Sequence, residues 1–86
     1  MSYSWTNTKL KRSEGGPGVT DAVRAVNRAK LPGVRARQTP SWYVGHTAIR
    51  VEAATKAGLR RALAVLKEMG AVSSVKDALD YAEVRS

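Results

Sequence analysis

The chain has 86 residues and a mass of 9.3 kDa, enough for one small domain. Its 15 Lys and Arg outnumber its 7 Asp and Glu, giving a formal charge of +8 and a pI near 10.5. With no cysteine and one histidine, disulfide frameworks, thiolate metal sites, cysteine nucleophiles and two-histidine zinc sites are excluded, so neither metal nor cofactor is expected.

No apolar run has the length of a membrane helix, and residues 1–10 lack the apolar stretch of a signal peptide. The expectation is a cytoplasmic protein with no membrane partner. Val, Leu and Ile together make up about a fifth of the chain, close to the level at which disorder competes with folding. Thirteen alanines raise the apolar share to 43%, but each buries little area. A chain this short hides only about 60% of its unfolded surface. Marginal stability, or support from a homo-oligomer, follows from that arithmetic.

Residues 1–12 are rich in Tyr, Trp, Thr and Ser, and Tyr3 and Trp5 alternate as one face of a strand does. The competing reading is an arm that ends in the basic cluster Lys9, Lys11 and Arg12. Residues 13–18, Ser-Glu-Gly-Gly-Pro-Gly, form a loop, because that composition holds neither a helix nor a central strand. The domain division is an arm or strand plus loop over 1–18, then a single α+β domain over 19–86.

A first helix is predicted over Asp21 to Lys30, with Thr20 as its N-cap. Val19, Val23 and Val26 share one side, and Asp21, Arg24 and Arg28 another, with Asn27 beside them. Pro32 pushes Leu31 toward extended backbone and stops the helix, and Gly33 supplies the turn.

Residues 34–53 read as extended, and two hairpin registers compete. In one, Gly45-His46 is a two-residue turn, and Trp42 pairs with Ile49 on the core face while Tyr43 and Arg50 lie opposite. In the other, Thr39-Pro40-Ser41 is the turn, and one long strand from Trp42 to Ala53 puts Tyr43, Thr47, Ile49 and Val51 inward and Trp42, His46 and Arg50 outward. The alternation of Val34 to Arg37 favours the second. A change of parity flips every assignment, so the exposed aromatic is Trp42 or Tyr43.

Thr55 caps a second helix from Lys56 to Met69, whose apolar stripe is Leu59, Ala62, Leu63, Leu66 and Met69. Gly70 stands where a left-handed residue ends a helix. A third, short helix over residues 73–83 begins at Ser73 or Ser74 and places Val75, Ala78, Leu79 and Ala82 at helical spacing. A final strand through Tyr81 to Val84 is its alternative. The fold class expected is α+β: a small antiparallel sheet packed on two helices, with a short third helix at the C-terminus.

The charge is uneven. Residues 1–37 hold eight basic and two acidic groups, while residues 38–86 hold seven and five. Arg24 and Arg28 are one turn apart on the first helix, Arg35 and Arg37 alternate on a strand with Arg50 able to join them, and Lys56, Arg60 and Arg61 open the second helix. Arginine forks match phosphate oxygens, and an exposed Trp42 or Tyr43 among them would stack on an unpaired base. Against this stands a solvated polar surface whose charge serves solubility.

Three other groupings carry chemistry in principle. Thr55-Lys56-Ala57-Gly58 opens a helix, where free N–H groups suit a phosphate, but the spacing is not that of a Walker loop, and an ordinary capped helix with a glycine packed near the sheet is the favoured reading. Asp77, Asp80 and Glu83 read as a solvated acidic face. His46 follows Gly45 on the second strand of a helix–strand–strand–helix order, and this resembles the HicA-type toxin RNases. That family carries Gly-Ser-His on a small sheet between two helices. The resemblance implies an RNase using His46, but the intervening serine is missing here and no adjacent carboxylate orients the ring, so no catalytic residue is assigned.

The sequence is therefore read as a small, basic, non-catalytic nucleic-acid-binding protein. Phosphates would be contacted by Arg24, Arg28, Arg35, Arg37, Arg50, Lys56, Arg60 and Arg61, with Trp42 or Tyr43 stacking, and DNA and RNA are not distinguished. The alternative is a protein-interaction module, either a small inhibitor or adaptor gripping an acidic protein or a self-assembling structural subunit, using exposed Trp, Tyr and Arg. The Ala-rich composition and the excess of Arg over Lys are compatible with a GC-rich genome such as that of a phage.

Overall fold

A computed structural model describes residues 2–7, 18–40 and 47–85. The strand pattern around Tyr3 and Trp5 forms β1 (Ser2–Asn7), followed by α1 (Val19–Arg28) and the hairpin strands β2 (Val34–Pro40) and β3 (Thr47–Ala53). Then come α2 (Lys56–Glu68), α3 (Val75–Asp80) and a short last strand, β4 (Glu83–Arg85). The sheet order is β2-β3-β1-β4, and each neighbouring pair is antiparallel. Residues 2–7 are therefore an interior strand of the sheet and not an arm.

β1 and β2 run parallel with β3 between them, so β1-α1-β2 is a split βαβ unit. With β3, α2 and β4 the chain follows the ferredoxin-like β-α-β-β-α-β plan, and α3 is inserted before the last strand. That plan hosts many unrelated functions and names none.

One face of the sheet packs on α1 and α2. Trp5, Ala36, Ile49, Val51 and Ala53 meet Ala22 and Val26 of α1 and Leu59, Ala62, Leu63 and Leu66 of α2. Tyr3 is partly buried on the same side. Each fully buried leucine contributes about 1.5–3 kcal/mol relative to exposure, so α2 carries much of the stabilisation. Val72 and Ala78 extend the core under α3.

α2 begins and ends as its sequence predicts. The Thr55 hydroxyl accepts a hydrogen bond from the Gly58 N–H at 3.0 Å. At the other end the Gly70 N–H donates to Lys67 O and the Ala71 N–H to Leu66 O, the paired bonds of a Schellman motif, with Gly70 at φ +81°.

α1 differs from expectation. It starts two residues earlier, with Gly18 at its N-cap position, and the Thr20 hydroxyl instead accepts from Gln38 Nε2 at 2.6 Å. A contact with a strand 18 positions away outweighed a local cap. The helix also ends earlier, at Arg28, because Lys30 takes a left-handed conformation at φ +51° before Pro32 is reached.

Neither predicted hairpin register is the one formed. Pro40 is opposite Thr47, a register that neither expected turn produces, and residues 41–46 lie outside the described residues. Pro40 ends an edge strand, where its missing N–H costs no ladder bond. At the C-terminus the two alternatives coexist: Ser74 caps a six-residue helix, its hydroxyl accepting from the Asp77 N–H at 3.3 Å, and β4 follows.

Candidate nucleic-acid interface

Because side chains alternate along a strand, residues that do not face α1 and α2 lie on the other face of the sheet. Arg35 and Arg37 of β2 and Arg50 and Glu52 of β3 share this second face, called the open face below because no described helix packs on it, although Ser4 and Ala48 on it are buried at 5% and 1% exposure. In the register, Arg35 is opposite Glu52 and Arg37 is opposite Arg50. Two guanidinium groups thus occupy a directly facing cross-strand pair, an arrangement that costs a sheet a few tenths to about 1 kcal/mol.

Glu52 relieves part of that cost. Its Oε1 receives Arg37 Nη2 at 3.3 Å and Arg50 Nε at 3.2 Å. The Arg50 side chain is 21% exposed and the Arg37 side chain 60%, so Arg50 is held against the sheet while Arg37 reaches into solvent. One carboxylate oxygen occupies only part of the ten N–H donors that two guanidinium groups supply. With Arg35 also exposed, this group of four side chains keeps a net positive charge.

The remaining predicted residues lie elsewhere. Arg24 and Arg28 are exposed on α1, and Lys56, Arg60 and Arg61 are exposed on α2, in the helical layer behind the sheet. A ligand lying flat on the open face meets Arg35, Arg37 and Arg50 but not the α2 cations. The basic residues do not form one surface. Trp42, Tyr43 and His46 lie outside the described residues. Among the described residues the open face carries no aromatic side chain: Tyr3 and Trp5, the two on β1, both face the helices.

The start of α2 is not a phosphate cradle. Gly58 is buried, a Cβ there would stand 3.1 Å from Val34 Cγ2, and its N–H is already used by Thr55. The glycine is needed where the helix meets the sheet. Asp77, Asp80 and Glu83 are exposed, and among the described residues no group of acidic or histidine side chains is arranged to hold a metal. No described helix is long and apolar enough to cross a membrane.

Sequence reasoning overlooked two residues. Glu52 was legible, since it alternates with Arg50 and must share its face. Asn27 was not: its side-chain amide donates to Ala36 O and accepts from the Ala36 N–H, both at 2.9 Å, and nothing local announces that partner. Compared with protein-family models, curated proteins and solved structures, the chain gives no match.

Proposed function

We propose that this protein is a non-catalytic nucleic-acid-binding module whose open sheet face contacts backbone phosphates through Arg35, Arg37 and Arg50. The observation that carries the reading is the facing pair Arg37 and Arg50, with Glu52 bridging them and Arg35 alongside. Like charges set opposite one another cost stability that a bound anion returns. The planar fork of arginine suits phosphate geometry, and the +8 charge supports attraction of a polyanion from a distance.

With Trp42 and Tyr43 outside the described residues, this reading rests on phosphate contact, which by itself carries little base preference. Affinity should then vary little among sequences and fall steeply with salt.

The test is fluorescence anisotropy with labelled single- and double-stranded DNA and RNA across a salt series. Binding is expected, with a linear log–log salt dependence whose slope reflects about 0.9 per phosphate contact on duplex DNA and about 0.7 on single strands. Arg35→Ala with Arg37→Ala should weaken binding to all sequences alike and flatten that slope. Arg60→Ala with Arg61→Ala should change it much less. Equal losses from the two pairs would reject the open face as the interface, and no binding at low salt would reject the reading itself.

A further inference from the structure

The register sets the charges of the open face in rows. Arg37 faces Arg50, and beyond Arg50 stands Thr6 of β1. In the next row Arg35 faces Glu52, Ser4 stands beyond Glu52, and Glu83 of β4 stands beyond Ser4. Residues directly opposite one another share a face, so all of these lie on it. Among the described side chains of this face, positive charge is confined to β2 and β3. β1 adds Ser2, Ser4 and Thr6, which carry none.

The basic area is small. Arg35 and Arg37 are two residues apart on one strand, a rise of about 6.6 Å. Arg37 and Arg50 are a facing pair about 5 Å apart, and Arg35 lies diagonally from Arg50 at about 7–8 Å. Glu52 is the fourth corner. Its Oε1, 3.3 Å from Arg37 Nη2 and 3.2 Å from Arg50 Nε, shows that these two guanidinium groups converge on a single oxyanion. Three guanidinium charges against one carboxylate leave two positive charges to be met.

Phosphates of one strand rise about 3.4 Å per nucleotide along a helix axis but also wind around it, so neighbours stand roughly 6–7 Å apart. That matches the rise from Arg35 to Arg37. Phosphates of opposite strands face each other across a groove and are farther apart than any two of these arginines. We infer, resting on the nucleic-acid reading of this face, that the cluster takes two neighbouring phosphates of one strand whose backbone runs along β2. Arg35 holds one phosphate, and Arg37 and Arg50 jointly hold the next. The uncharged β1 and the carboxylate of Glu83 beyond it turn the phosphates away from a path across the sheet. The ligand unit is two phosphodiesters joined through one nucleoside. A free diphosphate offers the same groups, but its phosphorus atoms are too close together to serve Arg35 and Arg37 in this way.

The experiment is an NMR titration of the full chain, following the amides of β2 and β3. The ligands are thymidine di-, tri- and pentanucleotides without terminal phosphates, which carry one, two and four phosphodiesters, and inorganic pyrophosphate. The trinucleotide is expected to bind about tenfold more tightly than the dinucleotide. The pentanucleotide should gain only about threefold more, the number of registers in which it offers two neighbouring phosphates. Pyrophosphate should bind more weakly than the trinucleotide.

Arg35→Ala should bring the trinucleotide down to the dinucleotide's affinity and change the dinucleotide by less than about twofold. Arg37→Ala and Arg50→Gln should each weaken both ligands, and together by less than the product of their separate effects, because both groups hold one phosphate. The same spectra show that each variant is folded. A trinucleotide no tighter than the dinucleotide, a pentanucleotide gain of tenfold or more, pyrophosphate equal to the trinucleotide, or Arg35→Ala acting equally on both oligonucleotides overturns the inference. So does a lack of response to all three oligonucleotides. If longer nucleic acids still bind in the anisotropy series, the broader reading survives that result, and if they do not, both fall.

Discussion

The side chain of Asn27 completes the ladder at Ala36: its amide donates to the Ala36 carbonyl and accepts from the Ala36 N–H, each at 2.9 Å, as a neighbouring strand would. An edge strand left open is a template for pairing with other chains, and here α1 supplies the missing partner from nine residues away in sequence. Asn27→Ala should therefore do two things. It should lower unfolding free energy by about 1–2 kcal/mol, measured in urea, and raise the tendency to aggregate on mild heating. Asn27→Asp keeps an acceptor but loses the donor and should behave nearly as badly. A loss below about 0.3 kcal/mol for both would show that water serves Ala36 equally well.

Gly58 tests how closely α2 rests on the sheet. Alanine normally gains about 1 kcal/mol over glycine inside a helix. Here its Cβ would stand 3.1 Å from Val34 Cγ2 and 3.2 Å from Thr55 Oγ1. Both neighbours are constrained, the valine by its branched side chain in β2 and the threonine by its capping bond. Gly58→Ala should destabilise, by about 1 kcal/mol net. Val34→Ala opens that space, so in a double-mutant cycle the two changes should cost less together than the sum of their separate costs.

Lys30 carries a left-handed backbone at φ +51° without being glycine. The conformation ends α1, and a side chain there costs about 1 kcal/mol. Lys30→Gly should stabilise the protein by about 0.5–1 kcal/mol and raise Tm by a few degrees. An unchanged or lowered Tm would mean that contacts of the lysine side chain outweigh the backbone term.

Glu52 is predicted to act in opposite directions on stability and on binding. Glu52→Gln removes the charge shared by Arg37 and Arg50 and leaves two arginines facing each other. Stability should fall by about 0.5–1 kcal/mol, a small figure because the group is partly exposed and screened. Affinity for nucleic acid should rise at low salt, with a slope steeper by up to about 0.9. If stability falls and affinity falls with it, Glu52 orients the arginines and does not compete with the ligand.

What was legible along the chain follows from range. The cap, stripe and terminating glycine of α2 involve residues within a few positions of one another, and Thr55, Leu59, Leu63, Leu66 and Gly70 take their predicted places. The alternation of Arg35 with Arg37, and of Arg50 with Glu52, is local in the same sense, so each pair had to share a face. The start of α1 was misread because Thr20 has a use that its own neighbourhood does not reveal.

By itself, then, the sequence determined an α+β domain, the identity of its most buried helix, a charge of +8 and the absence of thiol chemistry. Tertiary structure alone decided the rest. It set β1 between β3 and β4, brought Arg37 opposite Arg50, separated the α2 cations from the open face and gave Ala36 its partner in Asn27. Neither hairpin turn suggested by the sequence brings those two arginines together. The reason is that periodicity determines which residues share a face of one strand, while register between strands depends on the helices that must fit across the sheet. Slipping by a single residue exchanges the two faces at almost no local cost.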